Sequence, residues 1–449
     1  MKLQFDTSAR RGRITGPAPA AARRNTRCLA APVCVERREP VVSMLGNPGI
    51  AKRIALALVW IAIAVSGIVF TEPAPTDAIM LGLLVLLPTI GLVAISPLLV
   101  SYVSLWMVAA AAGLLAATMA PELGRPVTFT FVSFFLYLAS FIIAAFVAKD
   151  PKAHTELILR AWVVAAVVAT AAALLGYFQL APGAFDLFTR FGRATGTFKD
   201  PNVFGPFLVA PFLYALHVAL DMPLKRMGVP LAVAGLLALG VFLSFSRGAW
   251  MNLAAALAIY GWLAFVTAQS NERRKRILQL VAAGAVVICL VVVAALQNER
   301  IVELLTQRAS LTQSYDVGPE GRFGGQQKAL DLIYQNPLGI GATVFASVYH
   351  HEEVHNVYLS MMLNAGWVGG SIFWLMVMLT VGIGLRHVFK PGPAQPLLII
   401  AFATFAANAF EGVIIDLDHW RHVYVLMAIV WGIASATGRQ TAGTNRRRT

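Results

Sequence analysis

The sequence predicts an all-α protein, a polytopic bundle of transmembrane helices with about twelve spans. Of its 449 residues, 58% are hydrophobic and only 13% are charged, and the mean hydropathy is +0.70. A soluble core cannot bury that much apolar surface. A helix needs about 20 apolar residues to cross a bilayer, and twelve stretches of this kind follow one another along the chain.

The predicted spans form one integral membrane domain, residues 51–437. They cover residues 54–70, 78–95, 98–119, 127–148, 157–180, 203–219, 227–245, 249–268, 277–296, 356–385, 396–415 and 422–436. One long polar interval, residues 297–355, separates the ninth span from the tenth. A short amphipathic helix is predicted within it over 299–313, and a second over 324–334.

Both ends of the chain are basic. Residues 1–53 hold nine Arg and two Lys against three acidic residues, and residues 438–449 hold four Arg. Basic segments without interleaved aromatic residues suit anionic lipid headgroups better than nucleic acid. We therefore predict a disordered cytoplasmic arm over 1–50, a cytoplasmic tail over 438–449, membrane lipids as partners and no nucleic-acid partner. The arm lacks the apolar stretch of a signal peptide, and Met44 is an alternative start site.

Charge also predicts the orientation, because positive residues favour cytoplasmic loops. With both termini inside, the cytoplasmic loops include the basic runs 269–276 and 386–395. The outer loops then include 181–201, 297–355 and 416–421, and every candidate functional segment lies outside. The outer face of a bacterial inner membrane has neither ATP nor nucleotide sugars. An enzyme acting there needs a substrate that brings its own energy.

Several cationic side chains lie on this disfavoured outer side. Arg247 stands in the short turn Ser246-Arg247-Gly248 between two spans, and Arg322 follows a glycine in the long loop. Arg193 and Lys199 precede a helix that Asp200 or Asn202 is suited to cap. A guanidinium near the membrane boundary is costly unless partnered, and its planar fork fits phosphate oxygens. These residues are candidate anion ligands, although helix-end or solvated arginines are the simpler alternative.

His355 stands where the long loop returns to the membrane, directly before Asn356-Val357-Tyr358. An imidazole in a partly shielded site can accept a proton from a sugar hydroxyl near neutral pH. A competing pattern is His351-Glu352-Glu353-Val354-His355, since H-E-x-x-H on a helix places two zinc ligands on one face. A zinc membrane protease is therefore an alternative, although Glu411, the next carboxylate, lies one span further on.

A second outer cluster runs from Asp416 to His422. We interpret Asp416 and Asp418 as carboxylates that orient Arg421 or His419, or that cap a helix. Arg421 and His419 are therefore further candidate substrate ligands.

Taken in order, these motifs resemble the O-antigen ligase and polymerase superfamily. The resemblance extends over about residues 190–436. It rests on Gly196-Thr197-Phe198-Lys199-Asp200-Pro201-Asn202-Val203-Phe204-Gly205, Ser246-Arg247-Gly248-Ala249, Gly321-Arg322, Asn336-Pro337-Leu338-Gly339-Ile340-Gly341 and His355-Asn356-Val357-Tyr358-Leu359.

The resemblance implies a metal-independent membrane glycosyltransferase without a cofactor, which uses a polyprenyl-diphosphate-linked glycan donor on the periplasmic side. It implies that Arg247 and Arg322 hold the diphosphate, that His355 activates the acceptor hydroxyl, and that Arg193 contacts the donor. Attack opposite the leaving group would invert the anomeric centre. We count Lys199, Asn356 and Tyr358 with Arg421 and His419 as candidate substrate-binding residues.

The acceptor distinguishes two activities. A ligase transfers the glycan to lipid A-core, and a polymerase transfers it to a growing surface polysaccharide. Twelve spans and a long loop after the ninth favour the ligase, with the polymerase as the alternative. A secondary transporter would place its polar residues near the midplane of the membrane, whereas here they gather at one face.

Overall fold

The computed structural model describes residues 48–297, 318 and 321–446. Most of the amino-terminal arm, the amphipathic helix predicted over 299–313 and the last residues of the tail lie outside this part of the chain. The described residues are almost entirely helical. Their one hairpin pairs two short strands, β1 (Thr189–Arg190) and β2 (Arg193–Ala194). The all-α prediction is confirmed.

Fifteen α-helices follow one another in the described residues. They are α1 (Pro48–Ala64), α2 (Pro75–Thr89), α3 (Pro97–Ala117), α4 (Gly124–Lys149), α5 (Pro151–Tyr177), α6 (Ala184–Phe188), α7 (Pro201–Phe207), α8 (Val209–Asp221), α9 (Gly228–Leu243), α10 (Arg247–Val266), α11 (Asn271–Leu296), α12 (Arg322–Gln335), α13 (Val357–Val388), α14 (Gln395–Glu411) and α15 (Arg421–Arg446). A 3₁₀ turn, Leu224–Arg226, and a π-helical turn, Phe345–Tyr349, join some of them.

Each predicted apolar stretch overlaps a helix or, for 203–219, the pair α7 and α8. Six helical segments of the described chain are long and apolar enough to cross a membrane, namely α3, α4, α5, α7 with α8, α10 and α13. Three shorter apolar helices, α2, α9 and α14, accompany them. The protein is therefore of the multi-pass membrane class, and the count of twelve spans stays a prediction.

Capping side chains fix where several helices begin. Ser and Asp side chains accept a hydrogen bond from a backbone N–H in the first turn, and a following Pro suits the first helical position. The caps of α3, α5, α7, α10 and α13 are Ser96, Asp150, Asp200, Ser246 and Asn356. The Asp-Pro-Asn signal before α7 is thus a cap by Asp200 and not by Asn202.

The long helix α13 is kinked at Gly366, which has φ 66°. A Cβ atom there would lie 2.6 Å from the carbonyl carbon of Leu338, so only glycine fits. The amide of Trp367 donates to the carbonyl oxygen of Pro337 at 2.9 Å. Gly366 and Gly370 form a Gly-x-x-x-Gly motif, which predicts close packing of one helix on another. At Gly366 the helix instead packs against the backbone of the Asn-Pro turn. The loop is anchored in the kink.

The predicted outer and inner segments gather at opposite ends of the helices. At one end, Arg421 at the start of α15 binds Asp77 on α2 at 2.7 Å. At the other, Arg273 on α11 binds Asp221 at the end of α8 at 2.6 Å. Helix α10 runs from the first end towards the second over 20 residues, about 30 Å. We call the end that holds Arg421 and Asp77 the His355 end, and the opposite end the Arg273 end.

Candidate functional site

His355 lies between two carboxylates. Its Nδ1 is 3.6 Å from Oδ2 of Asp416 and its Nε2 is 3.7 Å from Oε2 of Glu352. Both distances are longer than hydrogen bonds, so these contacts are electrostatic. The side chain is 29% exposed and can be reached from outside. The imidazole therefore lies between two acidic side chains and is accessible.

Asp416 also fixes the backbone of His355. The amide of His355 donates to Oδ2 of Asp416 at 3.0 Å, and the hydroxyl of Ser360 donates to Oδ1 of the same carboxylate. The sequence interpretation was that Asp416 orients Arg421 or His419, or caps a helix; its oxygens instead accept from His355 and Ser360. The sequence signal for the contact between Asp416 and His355 is that α13 and α14 are consecutive helices, so the start of α13 and the end of α14 lie at the same end of one helical hairpin.

Two further carboxyl groups belong to the surroundings of His355. Burial, with a smaller contribution from Asp416, raises the pKa of Glu353 to about 7. Burial and then Asp416 also raise the pKa of Asp418 to about 7. Near neutral pH both carboxyls are partly protonated, which limits the negative charge that accumulates beside the imidazole.

The pKa of Glu353 predicts a pH-dependent stability. The folded protein holds this proton with a pKa of about 7, above the ordinary 4.5, so the favourable contribution is complete below pH 4.5 and is lost as the pH rises through 7. We expect Glu353→Gln to raise the thermal midpoint at pH 8 and to leave it unchanged at pH 4.5. Unfolding in detergent, with exposed Glu122→Gln as control, measures this; an equal shift at both pH values would contradict it.

Arg247 is the first residue of α10 and follows a tight turn. Ser246 caps this helix, and Arg193 secures the turn because its Nε donates to the carbonyl oxygen of Ser244 at 2.8 Å. Nη2 of Arg193 donates to Oδ1 of Asn202 at 2.7 Å. Arg193 thus contacts the turn that presents Arg247. Its predicted contact with a donor stays a prediction.

The starts of α10 and α13 meet at the end of α14. A Cβ atom on Gly248 would lie 2.5 Å from Oε1 of Glu411, so α10 packs directly on this buried carboxyl. The amide of Val357 donates to the carbonyl oxygen of the residue after Glu411 at 2.9 Å. Arg247 is the residue before Gly248, and His355 is two residues before Val357. The helices that begin after Ser246 and Asn356 therefore contact adjacent residues at the end of α14.

Arg322 reaches the same place from α12. Nε2 of Gln326 donates to the carbonyl oxygen of His355 at 3.2 Å, and a Cβ on Gly325 would lie 3.2 Å from the ring of His350. The first turn of α12 therefore packs on residues 350–355. Because Arg322 is four residues before Gln326, both side chains share one face of the helix. Arg322 therefore lies on the face of α12 that contacts the backbone of His355.

Asn356 and Tyr358 have structural contacts. Oδ1 of Asn356 accepts the amides of Tyr358 and Leu359 at 3.1 and 3.3 Å and caps α13. The hydroxyl of Tyr358 donates to the carbonyl oxygen of Ala409 at 2.6 Å, which ties α13 to α14. Their predicted role in substrate binding is not tested by these contacts.

The cap gives a stability prediction. Since Ala cannot accept the two amide hydrogen bonds, Asn356→Ala should lower the free energy of unfolding by about 1 kcal/mol. Asn356→Asp, which keeps an acceptor oxygen, should stay close to the original protein. Denaturant unfolding in detergent measures both variants, and equal losses for the two would show that the cap is not responsible.

Arg421 and His419 contact other helices. Arg421 forms a two-pronged ion pair with Asp77. Nε2 of His419 is 2.9 Å from the hydroxyl of Ser133, and its ring stacks on Phe129 with centroids 3.9 Å apart. Burial lowers the pKa of His419 to about 3, and nearby Arg421 adds to the effect. His419 is therefore neutral and holds α4. Substrate contact by either residue stays a prediction.

The helices that carry three of the predicted residues share neighbours: α10 and α13 both contact the end of α14, and α12 contacts residues 350–355. The convergence of the side chains of His355, Arg247 and Arg322 stays a prediction. Lys199 is further out, with Nζ 3.6 Å from Oε1 of Glu72 in an exposed ion pair. The predicted arrangement combines two guanidinium groups with one base.

The H-E-x-x-H interpretation fails on geometry. Residues 350–356 are not helical, so His351 and His355 do not share a helix face. His351 is exposed, and its Nε2 is 3.9 Å from Oε1 of Glu352. The zinc-protease alternative loses the local structure on which it depended.

A comparison with known proteins relates part of this chain to a protein family. A family model described as O-Antigen ligase matches residues 232–374, a segment that runs from α9 into α13 and contains Arg247, Arg322 and His355. A search of the curated proteins finds no match to this chain. The match confirms the resemblance to the O-antigen ligase superfamily. The fold is that of a multi-pass membrane protein, and residues 232–374 are similar to the O-antigen ligase family.

Proposed function

We propose that the protein is an inner-membrane glycosyltransferase that moves a polyprenyl-diphosphate-linked glycan onto a sugar hydroxyl at the periplasmic face. The acceptor we favour is lipid A-core, and the reaction needs no metal or cofactor. The observation that supports the proposal is the position of His355 between Asp416 and Glu352, with α12, the helix that begins at Arg322, hydrogen-bonded to its backbone.

The donor diphosphate fits the meeting point of three helix starts. Arg247 and Arg322 are each the first residue of a helix, and His355 lies two residues before a third. The helix dipole favours anions at such positions, and the guanidinium forks add bidentate contacts to phosphate. The charge that develops on the departing polyprenyl diphosphate is therefore stabilised where it forms.

His355 completes the reaction as general base. The acceptor hydroxyl gives its proton to Nε2, the nitrogen beside the half-exposed Glu352, while the oxygen bonds to the anomeric carbon. The bond from that carbon to the diphosphate oxygen breaks, and its electron pair leaves with polyprenyl diphosphate. Asp416 and Glu352 stabilise the resulting imidazolium. Attack opposite the leaving group inverts the anomeric centre.

Charge supports the orientation. Basic residues outnumber acidic ones at the Arg273 end, with Lys52, Arg53, Lys225, Arg226, Arg273, Arg274, Lys275, Arg276, Arg386 and Lys390. The His355 end carries the carboxylate cluster instead. By the positive-inside rule, the Arg273 end faces the cytoplasm and the site opens to the periplasm.

Reconstitution tests the function. The purified protein in liposomes is given a polyprenyl-diphosphate glycan and either lipid A-core or no acceptor, with and without a chelator. We expect transfer to lipid A-core and release of polyprenyl diphosphate, both unaffected by the chelator. Extension of the donor glycan without added acceptor would instead indicate the polymerase. Absence of both products from folded protein would refute the proposal.

A further inference from the structure

A large cavity lies at the Arg273 end, far from His355. Its volume is about 710 Å³, and it opens between α8, α10, α11 and α14. Its polar rim includes Asp221, Glu272, Arg273 and Arg276, and its inner wall includes Tyr260, Ala264 and Ile399. The cavity is therefore polar at the end of the bundle and apolar towards the middle of the membrane.

The cavity exists because α11 leaves the bundle. Ile277 is buried, but Leu278, Val281, Val286 and Leu290 are each more than half exposed. These residues are too apolar to face water, so they contact lipid chains. A helix surrounded by lipid on its outer side and separated from the bundle by a cleft gives a lipid chain access to that cleft.

Two arginines face the cleft from the first turns of α11. Arg273 and Arg276 are three residues apart and therefore on one face; both are half-buried, whereas Arg274 and Lys275 between them are exposed. Arg273 is paired with Asp221 at 2.6 Å. The two half-buried guanidinium groups stand where the polar rim meets the apolar wall.

Arg276 has the capacity for another anion. Its Nη1 donates weakly to the carbonyl oxygens of Leu220 and Met222, at 3.4 and 3.3 Å. Within the described part of the chain, no carboxylate lies at ion-pair distance from this guanidinium. A half-buried arginine held only by long contacts to carbonyl groups is well suited to accept phosphate oxygens.

We infer that this cleft binds one phospholipid molecule, with its phosphate on Arg276 and Arg273 and a chain along the apolar wall. The position agrees with the chemistry, because a phospholipid is anionic at the level of the helix ends and apolar below it. A lipid seated here would fill the space between α11 and the bundle and would hold α11 in place.

Native mass spectrometry of the full chain released from detergent tests the inference. The probes are phosphatidylglycerol, dioleoylglycerol, which lacks the phosphate, and glycerol phosphate, which lacks the chains. We expect one retained phosphatidylglycerol and at least about tenfold weaker retention of either other probe, since a hydrogen bond to a charged group is worth about 1.5–3 kcal/mol. Equal retention of dioleoylglycerol would refute the phosphate contact, and equal retention of glycerol phosphate would refute a lipid site.

Variants on one helix provide the matched comparison. Arg276→Gln should weaken phosphatidylglycerol retention by about tenfold, while Lys275→Gln, which removes the same charge from the adjacent exposed position, should retain the lipid. Equal retention by the two variants would overturn the assignment. If Arg276→Gln does not fold, the comparison of probes on the unchanged protein still decides the question.

Discussion

Replacing His355 with asparagine should slow glycan transfer by about 10²–10⁴-fold, the usual contribution of a positioned general base. Asparagine is the informative substitution because His355 has φ 52°, and asparagine tolerates this left-handed conformation better than most residues. The backbone hydrogen bond to Asp416 can therefore persist while the base is lost. Single-turnover transfer in liposomes, with donor and acceptor saturating, measures the chemical step.

The matched control is His351→Asn, four residues earlier in the same polar segment. His351 is exposed, with its Nε2 3.9 Å from Oε1 of Glu352 and its ring centroid 4.5 Å from that of His350. Its loss should leave the single-turnover rate within about twofold, the scatter expected for surface substitutions. If His355→Asn transferred glycan at the rate of His351→Asn, His355 would not be the base, and the proposed mechanism would fail even if the enzyme were a glycosyltransferase.

The helices could be predicted from the sequence because their signals are local. Apolar runs of spanning length mark the helical positions, and an Asp or Ser followed by Pro marks where α3, α5 and α7 begin. The kink at Gly366 could not be predicted this way. It depends on backbone from a distant turn, and the sequence of α13 alone is compatible with close packing against another helix.

The candidate site was predictable in part for the same reason. Arg247, Arg322 and His355 could be chosen as candidates because each lies in a short motif at a predicted membrane boundary. The partnership of His355 with Asp416 joins residues 61 positions apart, and that of Arg421 with Asp77 joins residues 344 apart. Such pairs follow from which helix ends are neighbours, which composition and periodicity do not determine.

The distribution of carboxylates refines the chemistry beyond the motifs. Asp416 uses one oxygen for the backbone of His355 and the other for Ser360, so it is positioned before any substrate arrives. Glu352 is half exposed. An acceptor can therefore approach Nε2, on the side of the exposed carboxylate, more readily than Nδ1, on the side of the fixed one. This asymmetry supports our assignment of the proton to that nitrogen.

Replacing Arg247 with glutamine should lower kcat by about 10²–10³, comparable to the loss of one preorganised donor to a developing negative charge. The charge on the diphosphate grows as its bond to the sugar breaks, so an arginine that grips it contributes more in the transition state than in the ground state. Arg247→Lys keeps the charge but loses the planar fork, so its kcat should lie between those of the original protein and Arg247→Gln. Steady-state transfer at varied donor concentration separates kcat from KM.

Arg190→Gln is the control for loss of a positive charge at the same end of the protein. Arg190 is exposed, and its Nη1 donates to the carbonyl oxygen of Lys199 at 3.0 Å, away from the meeting point of α10, α12 and α13. The substitution Arg190→Gln should leave kcat unchanged. A rise in KM with unchanged kcat for Arg247→Gln would mean that Arg247 binds the donor equally in ground and transition states. Arg322 and the helix dipoles would then have to stabilise the departing diphosphate without a contribution from Arg247.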